Sequence, residues 1–441
     1  MINLFQKSLT FQGFPIEQAQ QKLLQIHQLN THEIIKRNEQ ASWAIFRHHF
    51  QYNSVYRQFV KNGFFRKDDW QSIPVLTKKD LQQPLSCRLS EGFTAKNVHL
   101  HNTSGSSGTP FYFAKDKYCH AMSWAINIHR FGQFGVEFGN SLQARFYGIP
   151  LGGIKYYKEL IKDKIAKRKR FPVFDLSDEK LEQIFHSFKN NPYYYVNGYT
   201  SSLVLFARFL IDKGVTAKAV CPNLQVVFTT SEVCSQLDRK ILEEGFGVRV
   251  VNEYGAAELD LIAFEDKDGD WLLNYESLFV EILDEKNHAV PPGEEGRVIV
   301  TALYNKAMPF IRYELGDTAI LSRNRKGNYQ VLEKVTGRTN DIALLPSGKK
   351  SPGLTFYYIS KSLLEQGSIV KEFIIKQLAL DHFHYEYVAE RSLNTFEKEQ
   401  IKKAMDKYLE PGLKATFEQK KVIKRTKAGK LKHFQNLISL D

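Results

Sequence analysis

A hydroxyl-rich loop is the part of this chain whose residue types most clearly suggest chemistry. It consists of Thr103, Ser104, Gly105, Ser106, Ser107, Gly108, Thr109 and Pro110. Glycine lets the backbone approach a ligand closely, and successive N–H groups and hydroxyls can donate to phosphate oxygens. The loop therefore predicts a polyphosphate ligand, although Ser/Gly clusters also form ordinary turns.

The segments on either side of the loop set its context. Val98–His101 alternates apolar and polar residues, and Phe111–Phe113 also reads as a strand. The pattern predicts strand, loop and strand. A P-loop of the GxxxxGKS kind would carry a lysine and lead into a helix, so the pattern disfavours an ordinary NTPase.

A second motif, Asn252–Glu258, places an aromatic ring, a glycine and a carboxylate after an apolar strand. Tyr254 could stack on a base, and Glu258 could hold Mg²⁺ beside phosphates, since hard cations take carboxylate oxygens. The alternative is a strand-to-helix turn with a capping acid.

Two further motifs lie nearer the C-terminus. Arg312–Asp317 ends in a Gly-Asp pair, and Asp317 could accept both hydroxyls of a ribose or simply occupy a turn. Lys424–Lys430 surrounds a glycine with cations. An ammonium there suits developing oxyanion and phosphate charge, and the alternative is a solvated tail.

Composition indicates a globular chain of two or three domains. Its 441 residues are 43% hydrophobic and 25% charged, with a net charge of +13. Residues 155–170 are strongly basic. Such a segment could touch a membrane surface peripherally, but it is more often a solvated face or a funnel for an anionic substrate. No signature indicates a specific nucleic-acid partner.

The chain shows no targeting or metal pattern. Residues 1–14 lack a basic stretch leading into a long apolar core, so the expected location is cytoplasmic. The four cysteines, Cys87, Cys119, Cys221 and Cys234, have no CxxC spacing. They predict neither zinc nor disulfides and read as small buried hydrophobes.

The element pattern predicts an α/β fold. Residues 1–90 are predicted to form a helical lead-in. In residues 91–265, strands alternate with helices such as Asp178–Lys189 and Thr200–Lys213. This alternation favours parallel sheets wrapped by helices. Residues 266–337 read as a small antiparallel β subdomain. We place a boundary near 338, so that 1–337 form the N-terminal domain and 338–441 a small, mobile α+β C-terminal domain.

The order of these motifs resembles that of the adenylate-forming superfamily, which includes acyl-CoA synthetases. The resemblance covers roughly residues 73–432. Within it the chain is most similar to the branch of phenylacetate-CoA ligase, coenzyme F390 synthetase and the CapK proteins, through Ile73–Leu81, Thr229–Glu232, Asn252–Glu258 and Asn305–Tyr313.

The resemblance implies roles for individual residues. The loop of residues 103–109 would wrap the β- and γ-phosphates of ATP. The other implied ATP-binding residues are Glu232 and Tyr254 at the adenine pocket, Gly255, and Asp317 at the ribose. The implied catalytic residues are Glu258 as the Mg²⁺ ligand, Arg338 at the ribose or α-phosphate, and Lys430 at the reacting carboxylate and α-phosphate. Tyr199 and Ser231 would lie in the acyl pocket, and Asn340 at the hinge of a C-terminal lid.

The chain departs from the family pattern at three positions. Thr109 stands where lysine is usual, Ala257 where a phosphate-binding Thr or Ser is common, and Asn340 where the hinge is usually Asp. One lost hydroxyl contact to phosphate is worth about 1.5 to 3 kcal/mol, so Ala257 predicts slower chemistry or a rearranged loop rather than an inactive site.

The implied activity is ATP-dependent adenylation of a carboxylic acid, with an aromatic acid as one option, followed by acyl transfer to CoA or another acceptor. One alternative is a CapK-like or F390 synthetase-like enzyme that transfers an acyl group or AMP to a biosynthetic intermediate. Another is a degenerate protein that binds nucleotide without turnover. The expected cofactors are ATP and Mg²⁺, with CoA as an option and no zinc.

Overall fold

The computed structural model describes residues 4–63, 65–81, 83–102, 111–147, 154–173, 176–338, 342–352, 359, 370–424 and 432–438. The chain divides into two compact units. The first contains Met1–Leu315 and Ile320–Glu333, and the second contains Gly316–Ala319 and Lys334–Asp441. A short piece from the middle of the chain thus groups with the C-terminal unit. A functional boundary near residue 338 remains a prediction.

Helices dominate the beginning of the chain and alternate with strands thereafter. They are α1 Leu4–Phe11, α2 Ile16–His27, α3 Thr31–Tyr52, α4 Ser54–Asn62, α5 Leu85–Arg88, α6 Lys117–Gly132, α7 Ile154–Ile165, α8 Asp178–Asn190, α9 Thr200–Asp212, α10 Ala217–Val220, α11 Gln236–Phe246 and α12 Thr395–Tyr408. In the described part of the chain, none of these helices is long and apolar enough to cross a bilayer.

The strands fall into four sheets. They are β1 His99–Asn102, β2 Tyr112–Lys115, β3 Gln143–Phe146, β4 Arg168–Phe171, β5 Tyr195–Tyr199, β6 Val226–Thr230, β7 Arg249–Ala256, β8 Asp260–Glu265, β9 Trp271–Leu273, β10 Leu278–Leu283, β11 Glu295–Ala302, β12 Tyr313–Lys326, β13 Tyr329–Arg338, β14 Ile342–Leu344, β15 Lys350–Pro352, β16 Val370–Ala379, β17 His382–Ala389, β18 Lys414–Gln419 and β19 Phe434–Asn436.

The largest sheet has eleven strands in the order β10-β11-β12-β13-β9-β8-β7-β6-β5-β3-β4. Strands β4, β3, β5, β6 and β7 are mutually parallel, and pairing becomes antiparallel between β7 and β8. Helices cover the parallel part, and antiparallel strands follow it. The predicted α/β class is therefore confirmed.

The parallel strands are apolar on both faces because helices cover both sides. On one face, Val196 and Val227 are fully buried in a cluster formed with α8, α9 and α11. On the other face, Phe228 packs its ring against Phe131 of α6, with ring centroids 4.3 Å apart. Burial of this kind stabilises by roughly 25 cal/mol per Å² of apolar surface.

Local signals fix the ends of individual helices. Asn30 and Glu33 form a capping box at the start of α3, with reciprocal hydrogen bonds of 3.0 and 2.8 Å. Ser235 and Asp238 do the same at α11, which ends at Phe246 and is followed by Gly247 in the left-handed conformation with φ +68°. A cap of this kind contributes about 1 kcal/mol.

A buried ionic network joins the helical lead-in to the sheet. Oε1 of Glu276 accepts a hydrogen bond from Arg130 at 2.8 Å and another from Tyr329 at 3.0 Å, and it lies 3.0 Å from Nε2 of His27. The side chains of Arg130 and Glu276 are 1% and 0% exposed. Burial alone would raise the pKa of Glu276, but the charge of Arg130 and the hydrogen bond and charge of His27 together outweigh burial and lower that pKa to about 2.

The second unit has its own sheet and core. Its four strands run in the order β18-β17-β16-β19, and Ile401 and Met405 of α12 are buried in its core. This is the α+β composition predicted for the C-terminal part. Within the same unit, the hydroxyls of Thr318 and Thr336 are 2.7 Å apart.

Three local expectations are wrong. Asp317 does not lie in a turn, because β12 runs continuously from Tyr313 to Lys326. No helix follows Glu258, because the chain reverses into the antiparallel strand β8. Of the four cysteines expected to be buried, only Cys221 is; Cys87 is exposed, and Cys119 and Cys234 are half-buried.

Candidate active site

The parallel strands end along one edge, and several polar side chains share a face of the sheet there. Register pairs Arg145 with Asn197, and two residues further along β5 it pairs Tyr199 with Thr230. Glu253 follows the Thr229–Asn252 pair on β7. Residues two apart on a strand face the same side. Ligands of open α/β sheets bind at the carboxyl ends of strands, so this edge is the candidate site.

The acyl-pocket prediction concerned Tyr199 and Ser231. Tyr199 is 5% exposed, and its ring lies 4.6 Å from the ring of Tyr147. Ser231 is exposed and has a left-handed backbone with φ +68°, a conformation that costs a non-glycine residue about 1 kcal/mol or more. Tyr193 and Tyr195 are 0% and 1% exposed, so these two pack in the core.

Glu232 is engaged at the start of a helix. Its Oε2 accepts a hydrogen bond from the backbone N–H of Ser201 at 2.8 Å, and its carbonyl accepts one from the hydroxyl of Thr200 at 3.2 Å. A carboxylate at a helix N-terminus is stabilised by the helix dipole. This contact fixes the position of Glu232 beside the strand edge, and its role at the adenine remains a prediction.

Tyr254 and Gly255 lie where β7 turns toward β8. The ring of Tyr254 is 6.2 Å from that of Trp271, and the strand pairing shifts register between residues 254 and 255. A Cβ added at Gly255 would lie 2.4 Å from the backbone oxygen of Asp260. Only glycine fits here, so the motif glycine is required by the hairpin itself.

Glu258 is a buried acid in the turn after β7. Glu258 is only 6% exposed, and its Oε1 accepts a hydrogen bond from the hydroxyl of Tyr313 at 3.0 Å. Tyr313 begins β12, so the antiparallel part of the sheet helps to position this carboxylate. Sequence reasoning quoted Tyr313 in a motif but assigned it no role.

Lys115 holds the same turn from the other side. Its Nζ donates to the carbonyl of Ala257 at 3.1 Å and lies 2.5 Å from a carboxylate oxygen of Asp260. Ser123 also donates to Asp260. Burial opposes the charge of Asp260, but Lys115 and Ser123 outweigh it and lower its pKa. A buried ammonium needs such partners. The sequence signal that could have identified Lys115 is a lysine at the end of an apolar strand.

Arg312 secures the extended segment before the loop. It is fully buried, and its Nη1 donates to the carbonyls of Gln71 and Ile73 at 2.6 and 2.8 Å. The backbone N–H of Leu76 in turn donates to the carbonyl of Arg312 at 2.9 Å. This arginine is therefore a positioning residue, to which the sequence motif alone gave no function.

The remaining predicted site residues are not brought together by the described structure. The loop of residues 103–109, the hinge residue Asn340 and Lys430 lie outside the described residues. Arg338 ends β13, and its side chain is not described. Asp317 is buried, 5% exposed, and groups with the second unit. Their roles at ATP stay predictions.

The basic segment 155–170 is partly neutralised within itself. Arg170 pairs with Asp163 at 2.8 Å and with Glu159 at 2.9 Å, and Arg168 also pairs with Asp163. The exposed cations include Lys162, whose side chain is 65% exposed. Lys162 also pairs with Glu159, at 2.8 Å, so several of the described cations of this segment have a carboxylate partner. The alternative interpretations of this segment are still a solvated face, a binding surface for an anionic substrate, and a membrane contact.

One group in the second unit has the residue types of a metal site. His384, Glu386 and Glu418 offer ligand atoms within 4.8 Å of one another. However, Glu386 pairs with Lys376 at 2.6 Å and Glu418 with Lys420 at 2.5 Å. The lysines already compensate both carboxylates, so we assign no metal here.

Comparisons with known proteins support the resemblance. A scan against protein-family models finds no match. CapK of Staphylococcus aureus is 25% identical over 290 residues, 61% of this chain and 59% of CapK. Phenylacetate-coenzyme A ligase of Aromatoleum evansii is 25% identical over 351 residues, 75% of this chain and 74% of the ligase. The chain thus spans less than two thirds of CapK.

Solved structures define the class of fold. A 2-hydroxyisobutyryl-CoA ligase in the postadenylation state matches with a TM-score of 0.70 and 18% identity, over 92% of this chain and 90% of that enzyme. An anthranilate CoA ligase bound to anthranoyl-AMP matches with a TM-score of 0.53 and 13% identity, over 78% and 66%. The fold is that of CoA ligases. The resemblance to the phenylacetate-CoA ligase and CapK branch is confirmed.

Proposed function

We propose that this protein activates a carboxylic acid with ATP and transfers the acyl group to CoA or another acceptor. Its relatives and its fold support the assignment, and the observation that carries it is the buried Glu258 held by Tyr313 beside the strand edge. ATP use makes the cytoplasm the expected location.

In the first half-reaction, an oxygen of the substrate carboxylate forms a bond to the α-phosphorus of ATP. The bond from that phosphorus to the bridging oxygen breaks, and pyrophosphate leaves with the electron pair. No general base is needed, because the carboxylate is already a nucleophile. The main cost is crowding of negative charge, so the site must supply positive charge and N–H donors.

Glu258 fits the magnesium ligand that this reaction requires. One of its oxygens is engaged by Tyr313, and a carboxylate is the donor type that hard cations prefer. Mg²⁺ bound there would supply positive charge beside the phosphates. Lys115 and Asp260 form an ion pair with each other and keep the turn in place. Lys115 therefore does not compete with Mg²⁺ for the carboxylate of Glu258.

Residues outside this turn would complete the nucleotide site. The hydroxyls and N–H groups of residues 103–109 would donate to the β- and γ-phosphates, and Asp317 would accept from the ribose. Lys430 would neutralise charge between the attacking carboxylate and the α-phosphate. These assignments rest on the resemblance and on residue chemistry.

In the second half-reaction, a thiolate or other nucleophile attacks the acyl carbon of the adenylate. The bond from that carbon to the phosphate oxygen breaks, and AMP leaves. The ligase relatives favour CoA as the acceptor. Residues 338–441 would act as a lid turning about Asn340, so that Lys430 serves the first step and is withdrawn for the second.

The similarity to CapK supports a second candidate, transfer to an acceptor other than CoA. The acceptor would then be a biosynthetic intermediate with an amine or hydroxyl group. Transfer of AMP itself is the third outcome. ATP labelled in the adenine separates AMP transfer from acyl transfer, because the label leaves as free AMP after acyl transfer to either acceptor and enters the product after AMP transfer.

Exchange of labelled pyrophosphate into ATP tests the first half-reaction directly. With a panel of benzoate, cinnamate, phenylacetate and amino acids, we expect acid-dependent exchange that requires Mg²⁺. Lys430→Ala should abolish exchange and leave ATP binding largely intact. Glu258→Gln should lower exchange by about 100-fold. Lys421→Ala, an exposed lysine, is the matched control.

Near-normal exchange in Lys430→Ala would refute the role of that lysine. Binding of ATP and Mg²⁺ by calorimetry without turnover of any acid on the broad panel would instead favour a nucleotide-binding protein that lost its activity. The departures at Thr109, Ala257 and Asn340 motivate that control.

A further inference from the structure

Two charged residues, Glu253 and Arg145, lie at the strand edge close to aromatic side chains. Glu253 is half-buried and receives a hydrogen bond from the side-chain amide of Asn197 at 3.4 Å, with Thr230 as a second hydrogen-bonding neighbour. Arg145 lies in the same row of the sheet as Asn197. Four adjacent strands thus direct polar groups to one place.

The guanidinium of Arg145 is only partly engaged. Its carbon lies 4.2 Å from the ring centroid of Tyr147, above the ring face. Its Nε is buried and has no hydrogen-bond partner among the described residues. The charge of Arg145 lowers the pKa of Glu253 from a longer distance, and the two side chains do not form an ion pair. Both groups therefore keep unused hydrogen-bonding capacity.

Aromatic rings form the wall next to this pair. Tyr147 and Tyr199 contact each other with ring centroids 4.6 Å apart, and Tyr199 lies one residue beyond Gly198 at the end of β5. A flat apolar body could pack against these rings, while Glu253 and Arg145 would meet a polar group at its end.

The charge state of Glu253 agrees with this geometry. Burial raises the pKa of Glu253 to about 7, against its hydrogen bonds from Thr230 and Asn197 and the charge of Arg145. A carboxyl that has lost water and gained too few partners is one that a ligand donor can satisfy.

We propose that Glu253, with Arg145 behind it, selects an aromatic acid carrying a hydroxyl or amino group remote from its reacting carboxylate. This substituent donates a hydrogen bond to the Glu253 carboxyl, and Tyr147 and Tyr199 pack against the ring. The inference rests on the proposed function for the identity of the reaction, but the contact itself concerns binding alone. An unsubstituted acid would give the buried carboxyl of Glu253 no hydrogen bond, so it is disfavoured.

Matched acids and a shape-conserving variant test the proposal. The probes are 4-hydroxybenzoate, 4-aminobenzoate and benzoate. In pyrophosphate exchange, the wild-type protein should prefer a substituted acid to benzoate by at least about 10-fold in kcat/KM. Glu253→Leu should lower that ratio at least about 10-fold while retaining benzoate exchange, and Glu253→Gln should retain part of the preference because its amide oxygen still accepts.

Calorimetric binding of the same acids without ATP separates this inference from the proposed function. The exposed Glu244→Leu in α11 is the matched control and should behave as wild type. Binding that favours substituted acids and loses this preference in Glu253→Leu supports the inference even if no exchange occurs. Active exchange with an unchanged ratio in Glu253→Leu overturns the inference and leaves the proposed function standing. Absence of both binding and exchange overturns both.

Discussion

Replacing Glu276 by glutamine removes the negative charge from a buried ionic network and leaves its shape nearly unchanged. Arg130 is 1% exposed and has its carboxylate partner at 2.8 Å, so the variant leaves a guanidinium buried without a counter-charge. His27 and Tyr329 also contact Oε1 of Glu276. The perturbation therefore acts on α2, α6 and β13 together.

The size of the effect follows from the shifted pKa. The pKa of Glu276 is about 2 in the folded chain against an ordinary 4.5. Each unit of difference corresponds to 1.36 kcal/mol, which gives about 3 kcal/mol at neutral pH. Breaking one side of a buried pair costs about 3 to 5 kcal/mol. We expect Glu276→Gln to lower the free energy of unfolding by about 3 kcal/mol at pH 7.

The pH dependence has a definite sign. Because the folded-state pKa is lowered, the contribution of Glu276 is complete above about pH 4.5 and is lost as the pH falls toward about 2. The difference between wild type and Glu276→Gln should thus be constant from pH 7 to 5 and shrink below that range.

Urea unfolding followed by tryptophan fluorescence suits this test. Trp43, Trp70, Trp124 and Trp271 all lie in the first compact unit, so the signal reports that unit. Exposed Glu244→Gln is the control, and a double variant with Arg130→Met and Glu276→Leu should recover much of the loss. A loss below about 1 kcal/mol at pH 7, or a difference that persists unchanged to pH 3, would refute the reasoning.

Two further predictions concern the turn that holds the candidate magnesium ligand. Gly255→Ala should destabilise the first unit by about 2 kcal/mol, because its Cβ would lie 2.4 Å from the backbone oxygen of Asp260, whereas Gly132→Ala meets open space and should be neutral or stabilising in the same urea titration. Lys115→Met should cost about 2 kcal/mol by leaving Asp260 unpaired, and adding Asp260→Asn should restore part of it; additive losses in this double-mutant cycle would show that the pair is not coupled.

Much of the local architecture could be predicted from the sequence, because hydrophobic periodicity and the residues that end helices and strands are local signals. The helix predicted at Thr200–Lys213 is α9, Thr200–Asp212, and that predicted at Asp178–Lys189 is α8, Asp178–Asn190. Strand and helix alternation then favoured a parallel sheet.

The contacts that position the site could not be read from the same signals. Lys115 reaches the carbonyl of Ala257 across a sequence separation of 142 residues, and Arg312 reaches Gln71 across 241. A periodic pattern reports which face of an element is apolar, but not which distant carbonyl a buried cation will meet. Lys115 and Arg312 therefore received no role before the structure.

Asp317 shows how pairing between strands overrides a local rule. A Gly-Asp pair after an apolar run favours a turn. In the fold, β12 continues through Gly316, which adopts φ +84°, and Asp317 becomes a strand residue. The glycine thus absorbs an irregularity within a strand instead of reversing the chain.

The grouping of Gly316–Ala319 with the C-terminal unit bears on how this protein can be dissected. A chain truncated after residue 333 would retain Thr318 but lose Thr336, whose hydroxyl lies 2.7 Å from its own. The excised C-terminal fragment would lack the short piece that completes it. The N-terminal fragment keeps its whole unit and the C-terminal fragment does not, so swapping C-terminal parts between relatives requires transplanting residues 316–319 as well.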